Sequence, residues 1–506
     1  MESPASASTP TGHPQRRFES PQARRVESKA ALYLVFCCVF SAAALLHQPC
    51  IFAGDDATNP DISQYTVNTV VDWLHKYENA TPDFTPGDVL TSKDLERLRP
   101  FMVPGYLEQL NFPQARVKIV ATRSHLPRQD FLDCTEKYQS QVVLRKDGSI
   151  ANYNCGQPFA DETLSADKPD SGVKAAWNFE YRWQNAGHGA LNWLLSIVRL
   201  PGNHDGDKIT LPTPLDLWTI PHTSRLPTDV TDQYGGGGTI QRTMGCVYWR
   251  FYLSHLAPYA STGGLLPGVQ DAKDFEFKEF TGFYTPFDIR GTAFIVWRYN
   301  DPFRADESWA YLPVIRRVRR VTAEVKSDSL LGTDHTIADF YGFADRVVNW
   351  NWKFLGWKTV LAIHDMRQPD THLYGPSGLL VDDVWSLRKY AVVMRTPKDP
   401  RNPYSAVINF WDAQNWDSWW TMAFDRKGHL WKVWQWPKRW SEDYAGGPFA
   451  EWNVGVKATS NPGPIVVDVQ NSRGTIILNW GRGFPIPSPR YLKSIMEPTS
   501  LEDIHR

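Results

Sequence analysis

The chain has 506 residues, 42% hydrophobic and 22% charged, with a formal net charge of −1. That describes a globular chain of roughly two to four domains, or one large β domain with extensions, able to bury a sizeable core. Near-zero net charge argues against nucleic-acid binding, which normally shows a clear basic excess. The unusual figure is aromatic: 22 Trp, 20 Tyr and 25 Phe, suited to ligand clefts or sugar stacking and equally to a large β core.

Residues 1–29 are polar and carry Arg16, Arg17, Arg24, Arg25 and Lys29, and the stretch 30–46 is apolar throughout. A basic region, an apolar run and small residues at Ala53 and Gly54 predict that 1–53 is an export signal, with an uncleaved N-terminal anchor as the alternative. Cys50 follows His47-Gln48-Pro49, a poor lipidation site. No later stretch reaches ~18 apolar residues, so the exported part is expected to be soluble or peripheral. Cys37, Cys38 and Cys50 lie in the leader, and Cys134, Cys155 and Cys246 in the body, with no C-x-x-C pair there. A zinc ribbon or thioredoxin-type motif is thereby excluded. Three single disulfide pairings are open; Cys134 with Cys155 is favoured, because the two bracket a predicted hairpin.

Residues 54–113 read as a partly helical entry region. A helix is predicted over 67–77, and Thr91 with Asp94 three residues on forms a capping signal. Pro100, Pro104 and Pro113 break the rest of this region into short pieces. From residue 114 to 480 the period changes to two. Strands are predicted over 116–122, then over 139–145 and 150–154 around the turn Lys146–Ser149. A helix is expected over 172–181, where Val173, Ala176, Trp177 and Tyr181 share a stripe. Strands at 193–200 and 208–211 flank a turn at 203–207. The glycine run 235–238 lacks the Lys-Ser/Thr of a phosphate-binding loop. Further strands are predicted at 239–256, 275–283, 293–299, 308–312, 314–321, 347–357, 358–363, 384–395, 406–410, 416–424, 429–436, 465–469 and 475–480. The Pro-rich tail 481–506 is expected to be extended. No repeat of 20–50 residues is visible, which disfavours a propeller or solenoid.

The segment 308–345 draws attention. Alternation along 314–321 places Val314, Arg316, Val318 and Arg320 on one face and Ile315, Arg317, Arg319 and Val321 on the other. Such mixed faces suit an edge or rim strand, where arginine stems lie on apolar surface and the heads reach water or acids. Asp328, Asp334 and Asp339 are the nearest acids in sequence. The expectation is a rim of structural ion pairs, with an anionic headgroup as the sharper alternative.

Catalytic signatures are weak. His335 with Asp334 and Asp339, and His204 with Asp205 and Asp207, could each hold a divalent ion, but turn capping explains the acids more simply. No G-x-S-x-G is present. Asp412, Asp417 and Asp425 lie near many tryptophans and keep a glycan- or ester-acting enzyme open as an alternative. The expectation is no catalytic residue, no metal and no cofactor. In 293–299 both strand faces carry bulky apolar groups, so the strand is covered on both sides, by helices or by a ligand cavity. Phe294, Val296, Trp297, Tyr299, Trp309, Tyr311, Trp419 and Trp434 are the candidate lining of an apolar cavity for a lipid or other hydrophobic molecule. A non-catalytic adaptor of an envelope complex is the third reading.

Several stretches together carry a resemblance: GVKAAWNFEYRW (172–183), GTAFIVWRYNDP (291–302), WAYLPVIRRVRRV (309–321), SDSLLGTDHTIADFYGF (327–343), TPKDPRNPYS (396–405) and DRKGHLWKVW (425–434). Over about residues 65–490 the chain resembles a bacterial family of unknown function described as outer-membrane lipoprotein-sorting-like. The resemblance implies a mainly β fold of LolA/LolB type. That is a large curved antiparallel sheet or half-open barrel, with helices on the concave side and an apolar cavity. It further implies a periplasmic location, or one at the inner face of the outer membrane of a Gram-negative bacterium. A hydrophobic ligand and peripheral membrane contact go with it, as does partnership with a transporter of the resistance-nodulation-division type or an outer-membrane component.

Overall fold

The structure is a computed structural model that describes residues 61–182, 187–199, 239–321, 328–367, 371, 373–375, 379–440, 459–461, 463–483 and 488–502. The leader, the turn at 203–207, the strand at 208–211 and the glycine run lie outside the described residues.

The architecture is mainly β. Fifteen of the described strands form one sheet. In chain order they are β1 (Val89–Thr91), β2 (Arg116–Ile119), β3 (Gly187–Arg199), β4 (Thr239–Tyr252), β5 (Phe275–Thr285), β6 (Ala293–Tyr299), β7 (Glu307–Leu312) and β8 (Arg317–Val321), followed by β9 (Trp350–Ala362), β10 (Val384–Pro397), β11 (Ala406–Asp412), β12 (Ser418–Phe424), β13 (Leu430–Gln435), β14 (Ile465–Asp468) and β15 (Arg473–Gly483). Their order in space is β1-β2-β10-β11-β12-β13-β14-β15-β3-β4-β5-β6-β7-β8, with β9 also beside β10. Pairing is antiparallel throughout except between β2 and β10. β1 and β8 end the order, so among the described residues the sheet does not close on itself.

The middle of the sheet is covered on both faces. β11 and β12 are buried at every position, which alternation alone would forbid for a sheet with one wet side. On one face Val392, Ile408, Phe410, Trp420 and Met422 pack against Val70, Trp73, Phe101 and Tyr106 from the N-terminal region. On the other, Ala391, Val393, Val407, Trp411 and Trp434 pack against Ala176 and Phe179, together with Phe343 and Val347. Each fully buried large side chain contributes about 1.5–3 kcal/mol relative to exposure.

Helices supply both covers. α1 (Val67–Lys76) opens on a capping box between Thr66 and Thr69 and buries Val70, Trp73 and Leu74, at i, i+3 and i+4. The Trp73 Nε1–H donates to the Arg99 carbonyl at 2.7 Å, so its polar handle is satisfied. α2 (Gln129–Tyr138) occupies residues for which no helix is expected, and only Val143–Leu144 of the strand predicted over 139–145 forms. This helix buries just Phe131 and Cys134, too sparse a stripe for its period to be read. It is fixed by the Cys134–Cys155 disulfide, Cα–Cα 5.6 Å. α3 (Ser171–Glu180) crosses β9 so closely that a Cβ on Gly172 would lie 2.5 Å from the Trp352 carbonyl carbon; only glycine permits that approach.

Three further expectations are corrected. In place of separate strands at 347–357 and 358–363 there is a short 3-10 turn, Val347–Asn349, and then one strand, β9, with a bulge between Phe354 and Gly356, where Gly356 takes φ +121°. The strand expected from residue 314 starts at Arg317. The residues before it form a tight turn with Arg316 at φ 49°, and this breaks the alternation. The tail expected to be extended contains α4 (Pro489–Met496): proline is tolerated in the first turn, and the Leu492 N–H donates to the Ser488 carbonyl at 3.0 Å.

Candidate aromatic face and its buried charge network

The candidate lining residues fall into three places. Directly opposed residues on neighbouring strands share a face. Ile295 opposes Trp309, Trp297 opposes Lys278, and Tyr311 opposes Val318. Trp297, Tyr299, Trp309 and Tyr311 therefore stand on one face of the β5–β8 wing. Trp297 meets Trp309 edge-on at 4.8 Å and Phe275 at 5.4 Å. Tyr299 is buried against Phe275, while Trp297, Trp309, Tyr311 and Val318 stay partly exposed.

The C-terminal segment lies on this face. Leu492 and Met496 of α4, with Leu501, bury themselves there beside Phe280 and Ile295. The Trp297 Nε1–H donates to the Met496 carbonyl at 2.7 Å, and Lys278 Nζ sits 3.1 Å from Asp271 and 3.4 Å from Glu497. Lys278 also lies 4.1 Å from the centre of the Trp297 ring, a cation–π contact.

Phe294 and Val296 point to the opposite face. Phe294 packs with Met244, Cys246, Tyr248 and Tyr341. Trp419 and Trp434 lie elsewhere, in the middle of the sheet, fully buried on opposite faces. The Trp419 indole donates to the Ile363 carbonyl at 3.2 Å, and that of Trp434 to His335 Nδ1 at 3.2 Å. Both are core residues and are not brought together with the wing aromatics.

Behind the aromatic face lies a charge network that the sequence reading misses. Arg298, the penultimate residue of apolar β6, is 2% exposed. It donates to Glu180 at 3.2 Å, to Asp306 at 3.2 Å and to the Ala344 carbonyl at 2.6 Å. Arg346 donates to the other oxygen of Asp306 at 2.7 Å and to the Tyr299 and Asp301 carbonyls. Arg250 pairs with Glu279 at 2.5 Å, and Tyr248 donates to the same carboxylate at 2.7 Å. These bonds tie the wing to α3 and to the 344–346 loop. A buried charge is tolerable only when paired in this way.

Glu276 sits beside Glu180. Burial, then the Glu180 carboxyl next to it, pushes its pKa up to about 8, so one proton stays on the pair at neutral pH. A cavity of about 20 Å³ opens beside Glu276, lined by Tyr153, Tyr181, Arg182, Tyr252 and His255. It has room for a water, not for a sugar or an acyl chain. Burial lowers the pKa of His255, whose Nδ1 meets the Asn154 carbonyl at 3.0 Å. One signal could have found this network: a single arginine inside an otherwise apolar strand must meet buried acids.

The rim arginines do not hold the acids nearest in sequence. Arg316, Arg317, Arg319 and Arg320 are exposed. Arg320 pairs with Glu307 at 3.1 Å, across the β7–β8 pair. Asp334 bonds Thr475 at 2.8 Å and Arg473 at 2.9 Å, and Asp339 accepts from Tyr404 at 2.7 Å and lies 3.7 Å from Arg395. Asp328 is exposed. Sequence proximity misleads here because the intervening chain turns the acids toward β10 and β15. His335 is buried, its pKa pushed down to about 3 by burial and then by Lys432. Among the described residues no group of three His, Cys, Asp or Glu side chains is arranged to hold a metal, and His204, Asp205 and Asp207 lie outside them. Asp412 pairs with Arg388 at 2.6 Å, Asp417 with Lys438 at 2.9 Å, and Asp425 caps its own turn. No helix among the described residues is long and apolar enough to cross a membrane.

Comparison with known proteins adds a family. No curated protein matches. Among solved structures, the chain is similar to a DUF1329 family protein of Desulfovibrio piger, with 16% identity over 66% of this chain and 99% of that one, TM-score 0.41. It is also similar to an outer membrane lipoprotein-sorting protein domain of Vibrio parahaemolyticus, with 14% identity over 66% and 100%, TM-score 0.40. A LolA superfamily protein of Nitrosomonas europaea gives 11% identity over 63% and 94%, TM-score 0.33. A family profile for proteins of unknown function, DUF1329, matches residues 89–212 and 218–478, most of the sequence, and the chain belongs to that family.

Proposed function

We propose that this is an exported envelope protein that binds the apolar chain of a lipid or similar amphiphile on the aromatic face of the β5–β8 wing. It would act as a carrier or accessory in the movement of hydrophobic molecules and not as an enzyme. One observation carries the reading. Trp297, Trp309, Tyr311 and Val318 form a continuous, partly exposed apolar surface that already accommodates the amphipathic segment α4 through side-chain packing and one indole hydrogen bond. Such a surface accepts an apolar occupant without catalytic machinery. Each methylene buried is worth about 0.8 kcal/mol, so a chain of about ten offers on the order of 8 kcal/mol before association costs. The exposed arginines of β8 are available to an anionic head, and the export signal expected over 1–53 supports an envelope setting. A transporter of the resistance-nodulation-division type remains the proposed partner class.

The test is extraction of the gently purified protein followed by mass spectrometry, paired with titration of a fluorescent fatty-acid probe. The expected result is a co-purifying amphiphile, and probe binding that weakens at least tenfold in Trp309→Ala. Clean protein with no probe binding would sink the carrier reading and leave the adaptor. Turnover of a glycan or ester abolished by one carboxylate change would replace it with an enzyme.

A further inference from the structure

β5, β6, β7 and β8 are consecutive antiparallel strands, so the β5–β6 and β7–β8 turns lie at the same end of the wing. With strands ~4.8 Å apart, the two turns are about 10 Å from one another. They carry the two most exposed large apolar side chains among the described residues, Phe287 at 92% and Val314 at 87%, with Ile315 at 37% beside them. Isolated apolar side chains on a surface are ordinary. Two such tips side by side, almost wholly in water and ringed by one sign of charge, are not.

The charge around them is positive. Arg290, Arg316, Arg317 and Arg319 are exposed, and among the described residues none has an acid within ion-pair distance. The acid of the tips, Asp288, is held by Arg242 at 2.5 Å. Both turns also satisfy much of their own backbone. The Ile289 N–H donates to the Pro286 carbonyl at 3.1 Å, Arg290 to Phe287 at 3.3 Å, and Arg316 to Leu312 at 2.9 Å. A turn bonded in this way can leave water without stranding its polar groups.

We propose that the turns 286–292 and 313–316 are a docking tip for an anionic phospholipid bilayer. Phe287, Val314 and Ile315 enter the headgroup–acyl boundary, while Arg290, Arg316 and Arg317 meet the phosphates. The occupant is a bilayer and not a protein groove because the apolar side chains are convex and separate, on two turns, which suits a deformable apolar medium. The basic ring selects an anionic surface. The inference does not depend on the amphiphile reading, since docking needs no cargo.

The test is hydrogen–deuterium exchange of the full chain with phosphatidylglycerol or phosphatidylcholine vesicles, which reads the tips locally whatever the leader does. Amides of 286–292 and 313–317 are expected to slow at least tenfold on phosphatidylglycerol only, with the effect lost in about 0.5 M salt. It is also expected to be lost in the double variant Phe287→Ser/Val314→Ser, whose exchange in β10–β13 stays that of the parent. Unchanged exchange at the tips overturns the proposal, as does protection that survives the double variant. Protection without vesicles that rises with protein concentration also overturns it, in favour of a second copy of the chain.

Discussion

The β10–β13 centre and the β5–β8 wing are both dense in aromatic residues, yet they use them in opposite ways. In the centre Trp411, Trp419, Trp420 and Trp434 are fully buried between two covers. In the wing Trp297 and Trp309 are only partly covered, by one short helix from the far end of the chain. Composition and alternation are alike in the two regions; what differs is the number of layers laid over the strand. Tryptophan density therefore identifies a β-rich protein with broad apolar faces but does not say which face is left for a ligand.

The largest contrast should come from deletion of single rings. Trp411→Ala in the centre is expected to cost about 3–5 kcal/mol, as a large cavity in a closed core does, measured as a fall in the urea unfolding midpoint. If the loss were under about 1 kcal/mol, the centre would not be the closed core described. Next is the disulfide. Cys134→Ser opens a loop of sequence separation 21 and should cost about 3 kcal/mol, seen as a lower thermal midpoint that reductant no longer changes.

The third prediction concerns pH. Glu276 has an ordinary value of 4.5 and a folded value of about 8, so the folded state keeps a proton that the unfolded state has lost. Its contribution is fully present below about pH 4.5 and is lost as pH rises toward 8. Stability should therefore fall across that window, with a slope of at most about 1.4 kcal/mol per pH unit, and level off above it. Glu276→Gln should flatten the slope; an unchanged profile would place the proton elsewhere. The smallest effect is expected in the wing itself. Trp309→Ala should cost about 1 kcal/mol of stability, because the ring is already partly wet. A loss as large as that of Trp411→Ala would erase the distinction between the regions.

Much of the sheet was legible. β6 was read at its observed bounds, Ala293–Tyr299, and the capping pair at Thr91 and Asp94 forms. These are local signals, and the local physics is enough to fix them. What was not legible depends on chain far away. Trp419 and Trp434 looked like lining because alternation cannot reveal that residues 61–119 cover one face of the central sheet and α3 the other. Asp334 and Asp339 are among the acids nearest in sequence to the rim arginines, yet their observed partners, Arg473 and Arg395, are remote in sequence. α4 was hidden by its prolines, one of which begins it. The buried network of Arg298, Glu180 and Asp306 went unread because Glu180 is supplied from 118 residues away and the turn that brings Asp306 back to Arg298 leaves no periodic signal.

The strand order also bears on how the chain can be made. β3 pairs with β15, bringing Arg199 opposite Arg473, and β2 reaches forward to Val384 and Trp385. β4–β8, by contrast, are a meander of local hairpins. Local pairing forms quickly, whereas closing long loops is slow. Synthesised from its N-terminus, the chain could complete the wing early, with β3 paired to β4, but β2 cannot meet β10, nor β3 meet β15, until the residues from 384 to 483 have been made. Val70, Trp73 and Phe101, which pack on the central strands, therefore wait for their partners and stay exposed to aggregation until those strands arrive.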